Sequence, residues 1–235
     1  IKSNGNISFA ISVEGDFYMW PTLSKEGNLN YFPLFIPIDK EKIQSISCGG
    51  NFTFLLSISG LLYSFGKSNT YGQLGHGDTK PRSKPKLVQT FFDFKIKIDQ
   101  VSCGFKHVIV KSSAGKCYSW GLGSSGQLGL GDNNCSAIPQ IINYFTRVFQ
   151  VTSGFNSSYF LTESRIIYKC GGNSNSYTAV QLELSKMHPE ITSENKISIV
   201  KIEATWNRTI SFLNSVLADY RSVKSNDNFK MNQIM

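Results

Sequence analysis

The chain has 235 residues, of which 40% are hydrophobic and 17% are charged, and its formal net charge is +8. This composition indicates a globular protein with a sizeable core. No apolar run approaches the roughly 20 residues of a membrane-spanning helix, so we expect no membrane partner. The first ten residues, IKSNGNISFA, lack an initiator Met and the pattern of a signal peptide, and we expect the chain to be a piece of a longer one.

The cysteines indicate a reducing environment. There are five of them, and no two form a CxxC or other closely spaced pair. An odd number does not suit a complete disulfide framework. We therefore expect an intracellular protein, in the cytoplasm or the nucleus.

The chain repeats itself with a period of about 50 residues. The segment 45–66 aligns without a gap with 100–121 at a shift of 55, and a further shift of 50 reaches 150–171. A partial copy covers 2–20, and another begins at Lys201. The approximate units are 1–42, 43–97, 98–147, 148–198 and 199–217. We expect the polar segment 218–235 to be a flexible C-terminal tail.

Each copy contains a pattern that predicts short strands. In the third copy Gly115 is followed by Tyr118 and Trp120, which predicts a glycine-centred hairpin whose second strand buries one face. Val101 and Cys103 alternate in the same way one strand earlier, and no helical period is sustained. Four strands of about five residues with their turns account for one unit, which favours the blades of a propeller over a solenoid.

Two copies share an element that is specific to one family. They read YSFGKSNTYGQLGHGD at 63–78 and YSWGLGSSGQLGLGD at 118–132, each preceded by an SCG triplet. This pattern resembles the repeat of the regulator of chromosome condensation family. The resemblance implies an all-β fold, a β-propeller of four-stranded blades usually closed by seven blades. The copies after Trp20 and after Cys170 depart from the pattern.

The count of about four and a half repeats leaves two alternatives. The chain is part of a larger, seven-bladed ring, which we favour, or it is an incomplete ring capped by a partner. In either case the positions that recur between copies are expected to be structural, because small residues and glycines allow close packing and tight turns. These positions are Cys48, Gly49, Gly60, Gly72, Leu74, Gly75, Gly77, Cys103, Gly104, Gly115, Trp120, Gly126, Leu128, Gly129, Gly131 and Gly154.

A dinucleotide site is the main alternative for one of these stretches. Gly121, Gly123 and Gly126 have the GxGxxG spacing, but the sister copy, GKSNTYG, does not keep it. The helix and the acidic residue that such a site requires are also missing. We therefore predict no cofactor. We also expect no catalytic residue and no metal site, since the three histidines occupy unrelated repeat positions and His107 is expected to be structural.

The best functional candidate is a basic segment. Between positions 80 and 97 six cations face one acidic residue, Asp93. Their alternation with proline predicts an extended loop between two blades that projects from one face and binds phosphate groups or an acidic protein surface. The alternative is a solvated connector. The six cations are Lys80, Arg82, Lys84, Lys86, Lys95 and Lys97.

The function expected from these features is binding rather than catalysis. We predict a non-enzymatic protein-protein interaction module, or scaffold, that binds one or more proteins through propeller loops. The alternative implied by the resemblance is a guanine nucleotide exchange factor for a Ran-type small GTPase, with chromatin association. An exchange factor distorts the phosphate site of its GTPase by inserting one specialised loop. No insertion between the predicted strands can be identified as such a loop. Nucleic acid or a nucleosome is a further candidate partner for the basic segment.

Overall fold

The structure is a computed structural model that describes residues 1–4, 7–21, 32–145, 147–172, 177–182, 198–204 and 210–215. The expected tail at 218–235 lies outside the described residues.

Four antiparallel sheets of four strands and one of two strands follow one another along the chain. Within each four-stranded sheet the strands lie in the order of the sequence. The prediction of an all-β propeller with four-stranded blades is therefore confirmed. The strands are β1 (Lys2–Asn4), β2 (Ile7–Ile11), β3 (Phe17–Pro21) and β4 (Leu34–Phe35) in the first blade; β5 (Ile43–Cys48), β6 (Phe52–Ser57), β7 (Leu62–Gly66) and β8 (Arg82–Leu87) in the second; β9 (Ile98–Cys103), β10 (His107–Ser112), β11 (Cys117–Gly121) and β12 (Ser136–Ile142) in the third; β13 (Val148–Ser153), β14 (Ser157–Thr162), β15 (Ile167–Gly171) and β16 (Val180–Gln181) in the fourth; and β17 (Ser198–Ala204) and β18 (Ile210–Ser215) in the last sheet.

The first strand of each sheet is the innermost. Each of these strands contacts the first strand of the next sheet along the chain. Side-chain hydrogen bonds repeat across these boundaries: the amide of Cys103 donates to Ser47 Oγ at 3.0 Å, and the amide of Ser153 donates to Ser102 Oγ at 2.9 Å. Because small side chains stand at these positions, the innermost strands approach closely enough to be joined in this way.

The core lies between neighbouring sheets. Strand β6 is buried along its whole length, since one side of the strand faces the first blade and the other faces the third. Phe54 and Trp120 meet edge to face with ring centroids 5.6 Å apart, and Leu74 is packed in the same cluster. Full burial of each such side chain stabilises the fold by about 1.5–3 kcal/mol, so the shared cores join the blades.

The GQLGxGD turns lie between the third and fourth strands. Gly75 has φ +78, and a Cβ placed there would lie 2.8 Å from Nε1 of Trp120 in the next blade. Leu74 is fully buried, and Oδ1 of Asp78 accepts the amide of Lys80 at 2.9 Å. In the third blade Asp132 accepts the amide of Asn134 in the same way. The turn therefore closes one blade and packs against its neighbour.

The segment 79–99 is not the loop that the sequence predicted. Arg82–Leu87 forms β8, the outer strand of the second blade, and Gln89–Asp93 forms a short helix, α1, before β9 begins. Proline fits the outer strand because that strand pairs on one side only, and Pro85 lies where the register with β7 shifts. Phe91 is buried, whereas Phe92 and Phe94 are 52% and 73% exposed.

The two faces of the propeller carry different connections. Because consecutive strands are antiparallel, the turns after first and third strands emerge at one face, and those after second and fourth strands emerge at the other. The GQLGxGD turns belong to the first of these faces, and α1 belongs to the second. None of the helices in the described part of the chain has the length and hydropathy needed to cross a membrane.

Candidate interaction site

The six predicted cations are distributed along the outer edge of the second blade. Lys80 precedes β8 on one face, Lys84 and Lys86 are exposed on the strand itself, and Lys95 and Lys97 follow α1 on the other face. At about 3.4 Å per residue the strand alone extends over roughly 17 Å. The cations thus form a band from face to face instead of a loop on one face, which corrects the predicted arrangement.

The side chain of Arg82 has a structural role. Its Nη2 lies 2.6 Å from Oδ2 of Asp78, and its Nη1 donates to the carbonyl of Lys80 at 2.8 Å. The Lys80 amide and then the Arg82 guanidinium hold the pKa of Asp78 below its usual range. This guanidinium closes the end of the GQLGHGD turn and is not available as a free cation.

Lys97 belongs to a repeated set of backbone contacts. Its carbonyl accepts a hydrogen bond from the amide of Ser113 at 2.9 Å. The carbonyls of Lys42 and Arg147 accept equivalent hydrogen bonds from the turns between the second and third strands of their own blades. A Cβ placed on Gly60 would lie 3.0 Å from the Lys97 Cβ. The backbone of Lys97 is therefore structural, although its side chain is exposed.

The remaining cations are Lys80, Lys84, Lys86 and Lys95, which we call the basic strip. All four are exposed, and none has an ion pair within the described residues. One of them, Lys86, acts on the half-buried ring of His76. Burial and then the charges of Lys86 and Arg82 lower the pKa of His76 to about 4. The strip is therefore positive and not neutralised by its surroundings.

The described residues contain no group of three or more His, Cys, Asp or Glu side chains that could hold a metal ion. His107 is fully buried, and its Nε2 lies 3.0 Å from Ser158 Oγ, which donates its own proton to the Gln127 carbonyl. Nε2 therefore carries the proton, and Nδ1 has no hydrogen-bond partner in the described part of the chain. Burial lowers the pKa of His107 to about 4, so the ring is neutral and part of the core.

The first two glycines of the GxGxxG stretch stand in crowded positions. A Cβ on Gly123 would lie 1.8 Å from the carbonyl oxygen of Asn134, and one on Gly121 would lie 2.5 Å from that of Lys106. These glycines are thus packed against the protein's own backbone. Close packing explains why glycine stands at these two positions.

Sequence reasoning missed an aromatic row at the turns between first and second strands. Gly50, Phe105 and Phe155 occupy the same repeat position in successive blades. The amide of Gly50 donates to the carbonyl of Phe105 at 2.9 Å, and the amide of Phe105 donates to the carbonyl of Phe155 at 3.0 Å. The rings of Phe105 and Phe155 stack with centroids 4.3 Å apart. Lys106 Nζ lies 5.0 Å from the ring centroid of Tyr71. The repeat alignment itself held the signal, since these residues coincide in it.

The chain is similar to known proteins in its sequence and in its fold. The chain is 30% identical to the ultraviolet-B receptor UVR8 of Arabidopsis thaliana over 192 residues, which are 77% of this chain and 43% of that protein. It thus spans less than half of the length of this relative. Human WBSCR16 superposes with a TM-score of 0.73 at 16% identity, over 89% of this chain and 57% of the other. Prp20p of Saccharomyces cerevisiae gives 0.58 at 16% identity, over 92% and 68%.

These structural likenesses show the fold alone, because the identities are low. The family is shown by sequence models of a repeat. One model of the regulator of chromosome condensation (RCC1) repeat matches residues 59–110 and 114–161. A second matches residues 43–73 and 98–127. The first model includes both GQLG elements, at 72–75 and 126–129. The chain belongs to the regulator of chromosome condensation (RCC1) repeat family.

Proposed function

We propose that the chain is a non-enzymatic protein-interaction module that holds an acidic protein partner against the basic strip. The observation that carries the proposal is a set of four exposed lysines along the outer edge of the second blade, none of which has an ion pair among the described residues. A partner carrying a complementary row of carboxylates is steered to such a surface and oriented by it. Strand β8 fixes the backbone of Lys84 and Lys86, so this part of the strip is positioned before binding.

The neighbouring blade shows that the fold does not require these charges. Strand β12 is the outer strand of the third blade, and its sequence, SAIPQII, has no cation. Pro139 in β12 occupies the repeat position of Pro85 in β8. Proline and lysine both protect an outer strand against unwanted pairing. Strand β12 has a proline and no lysine, so an outer strand of this fold does not need lysines for protection. The lysines of β8 are therefore available to bind a partner.

The test compares two triple variants of equal charge. K80E/K84E/K86E reverses the strip, and K2E/K67E/K116E reverses three other exposed lysines. Each variant and the wild-type chain are immobilised and incubated with an extract of the source cells at low and at high salt, and the bound proteins are identified by mass spectrometry. We expect acidic proteins on the wild type and the control at low salt, and their loss from the strip variant.

The same capture discriminates other partners. Retention of the same proteins by the strip variant would show that the strip is not the binding surface. Loss of the bound material after nuclease treatment would show that the strip binds nucleic acid, for which affinity falls steeply with salt. Either result would refute the proposal of an acidic protein partner.

Guanine nucleotide exchange on a Ran-type GTPase, with chromatin association, is the alternative function. The solved structure of Prp20p is described together with its binding to Gsp1p and histones. That likeness supports the alternative through the fold only, which does not confer an activity by itself. The release of fluorescent GDP from Ran measures it directly. Release at the intrinsic rate at saturating concentrations of the chain would exclude exchange activity.

A further inference from the structure

An open groove lies on the face of the propeller that carries α1. Its volume is about 660 Å³. One wall is the connection from β4 to β5, and the other is formed by the outer part of the second blade with α1. The side chains that line it are Asp39, Lys40, Glu41, Leu61, Tyr63, Leu87 and Phe92. We call it the acidic groove.

The apolar wall of the groove is rigidly presented. Leu61 and Leu87 are half-buried, and Phe92 is 52% exposed. Phe91, the preceding residue of α1, is 2% exposed, and its ring lies 5.3 Å from that of Tyr118 in the core. An exposed aromatic side chain on an anchored backbone loses little conformational freedom on binding, which is the property of an interface anchor.

The other wall carries two carboxylates. Oδ2 of Asp39 accepts a hydrogen bond from the Tyr63 hydroxyl at 3.3 Å, and Glu41 accepts one from Ser59. Among the described residues neither carboxylate has an ion pair, whereas nearby Asp16 is paired with Lys42 at 2.7 Å. Each carboxylate therefore keeps acceptor capacity that faces solvent.

The field at the floor of the groove is negative in spite of the net charge of +8. Burial and then the charges of Asp39 and Glu41 raise the pKa of Tyr63 to about 12. Lys40 also lines the groove, so two carboxylates stand against one lysine there. The groove and the basic strip thus present opposite charges to a partner.

We propose that the acidic groove binds a short segment of a partner protein in which an arginine or lysine stands close to a large apolar residue. The cation meets Asp39 and Glu41, and the apolar side chain packs against Leu87 and Phe92. Charge complementarity selects the cation, since a second carboxylate would be repelled. The exposed ring supplies most of the apolar area that binding removes from water. This site does not depend on the acidic partner of the basic strip, because its charge preference is the reverse.

The experiment uses peptides as probes. A random-peptide display library is selected on the immobilised full chain, and the enriched sequences are synthesised and measured by fluorescence polarisation. Two groove variants, D39N/E41Q and F92S, are compared with two controls, E14Q and F94S. Glu14 and Phe94 are exposed and do not line the groove. Thermal unfolding of every variant verifies that the fold is intact.

We expect enriched peptides that combine a basic and a large apolar residue within about four positions, the reach of an extended segment across the groove. Each groove variant should weaken their binding by about tenfold or more, which corresponds to about 1.4 kcal/mol. The control variants should change it less than about twofold. A selection that enriches no sequence, or peptides that bind the groove variants as well as the wild type, would overturn the proposal.

Discussion

The indole Nε1–H of Trp120 donates to the backbone carbonyl of Gln73 at 2.9 Å, and this hydrogen bond joins the third blade to the GQLG turn of the second. Trp120 is fully buried, and its ring also contacts Phe54 and Phe91. A buried carbonyl that loses its donor costs about 1–3 kcal/mol. At this blade boundary Trp120 thus provides both packing and a hydrogen bond.

We predict that Trp120→Phe lowers the free energy of unfolding by about 2–4 kcal/mol, because it leaves a cavity and an unpaired carbonyl. The control is Trp20→Phe, which changes the same repeat position in the first blade, where the side chain is only half-buried. That change should cost less than about 1 kcal/mol. Urea denaturation measures both. Equal losses in the two variants would show that the hydrogen bond to Gln73 is not important for stability.

A second prediction concerns the glycine after the small residue of each innermost strand. A Cβ on Gly104 would lie 2.0 Å from Cε1 of His107 and 2.7 Å from the carbonyl oxygen of Gly154. Because the ring is buried and the oxygen belongs to the backbone, neither atom moves without loss of packing. We expect Gly104→Val to lower the free energy of unfolding by about 3 kcal/mol or more.

The control for that substitution is Ala114→Val, at an exposed hairpin turn of the same blade. Its free energy of unfolding should stay within about 0.5 kcal/mol of the wild type. Thermal unfolding followed by circular dichroism distinguishes the two. A Gly104→Val variant with the melting temperature of the wild type would refute the close packing of Gly104 against His107 and Gly154.

The repeats made the fold predictable, because five imperfect copies of one pattern reveal which positions are required. Gly115, Tyr118 and Trp120 define a hairpin, and the structure has that hairpin between β10 and β11. The segment with β8 and α1 was harder to predict. An outer strand pairs on one side and contains proline, so it lacks the alternation of an inner strand, and a helix of five residues has no clear period.

The candidate site was predictable only in part for a similar reason. Charge density along the sequence identified all six cations, but the ion pair of Arg82 with Asp78 depends on the fold of the turn between them. The acidic groove was not found from sequence. It combines Asp39 with Phe92, which lie in different repeat units, and nothing in the local sequence indicates that they share a groove.

The two described histidines make stability depend on pH. The pKa of His107 is about 4 in the folded chain because the ring is buried, and 6.5 is the ordinary value. Between these values the unfolded chain binds more protons, so the free energy of unfolding falls as the pH falls. This stabilisation is complete above about pH 6.5. About 3 kcal/mol of it is lost by pH 4. His76 contributes in the same direction.

Sister copies supply the replacements that test this dependence. Phe52 occupies the position of His107 in the second blade, and Leu130 occupies the position of His76 in the third. We expect H107F and H76L each to flatten the change in melting temperature between pH 7 and pH 4. The effect should be larger for H107F, because that ring is fully buried. An unchanged pH profile in H107F would show that another group causes the acid sensitivity.

The last prediction concerns thiol reactivity. Cys135 is exposed in the connection between β11 and β12, whereas Cys103, Cys117 and Cys170 are buried. Burial raises the pKa of Cys117 and Cys170 to about 12 and that of Cys48 to about 11, and it raises that of Cys103 as well. The thiolate is the reactive form, so these four are protected by burial and by protonation.

We expect iodoacetamide at pH 8 to modify one thiol of the folded chain rapidly and all five in denaturant, as counted by intact mass. The variant Cys135→Ser should show no rapid modification. Because the four slow cysteines lie in strands of three different blades, their rates report opening of those blades. Rapid modification of Cys103 or Cys170 in the folded wild type would contradict the packing of the innermost strands and of the boundary between the third and fourth blades.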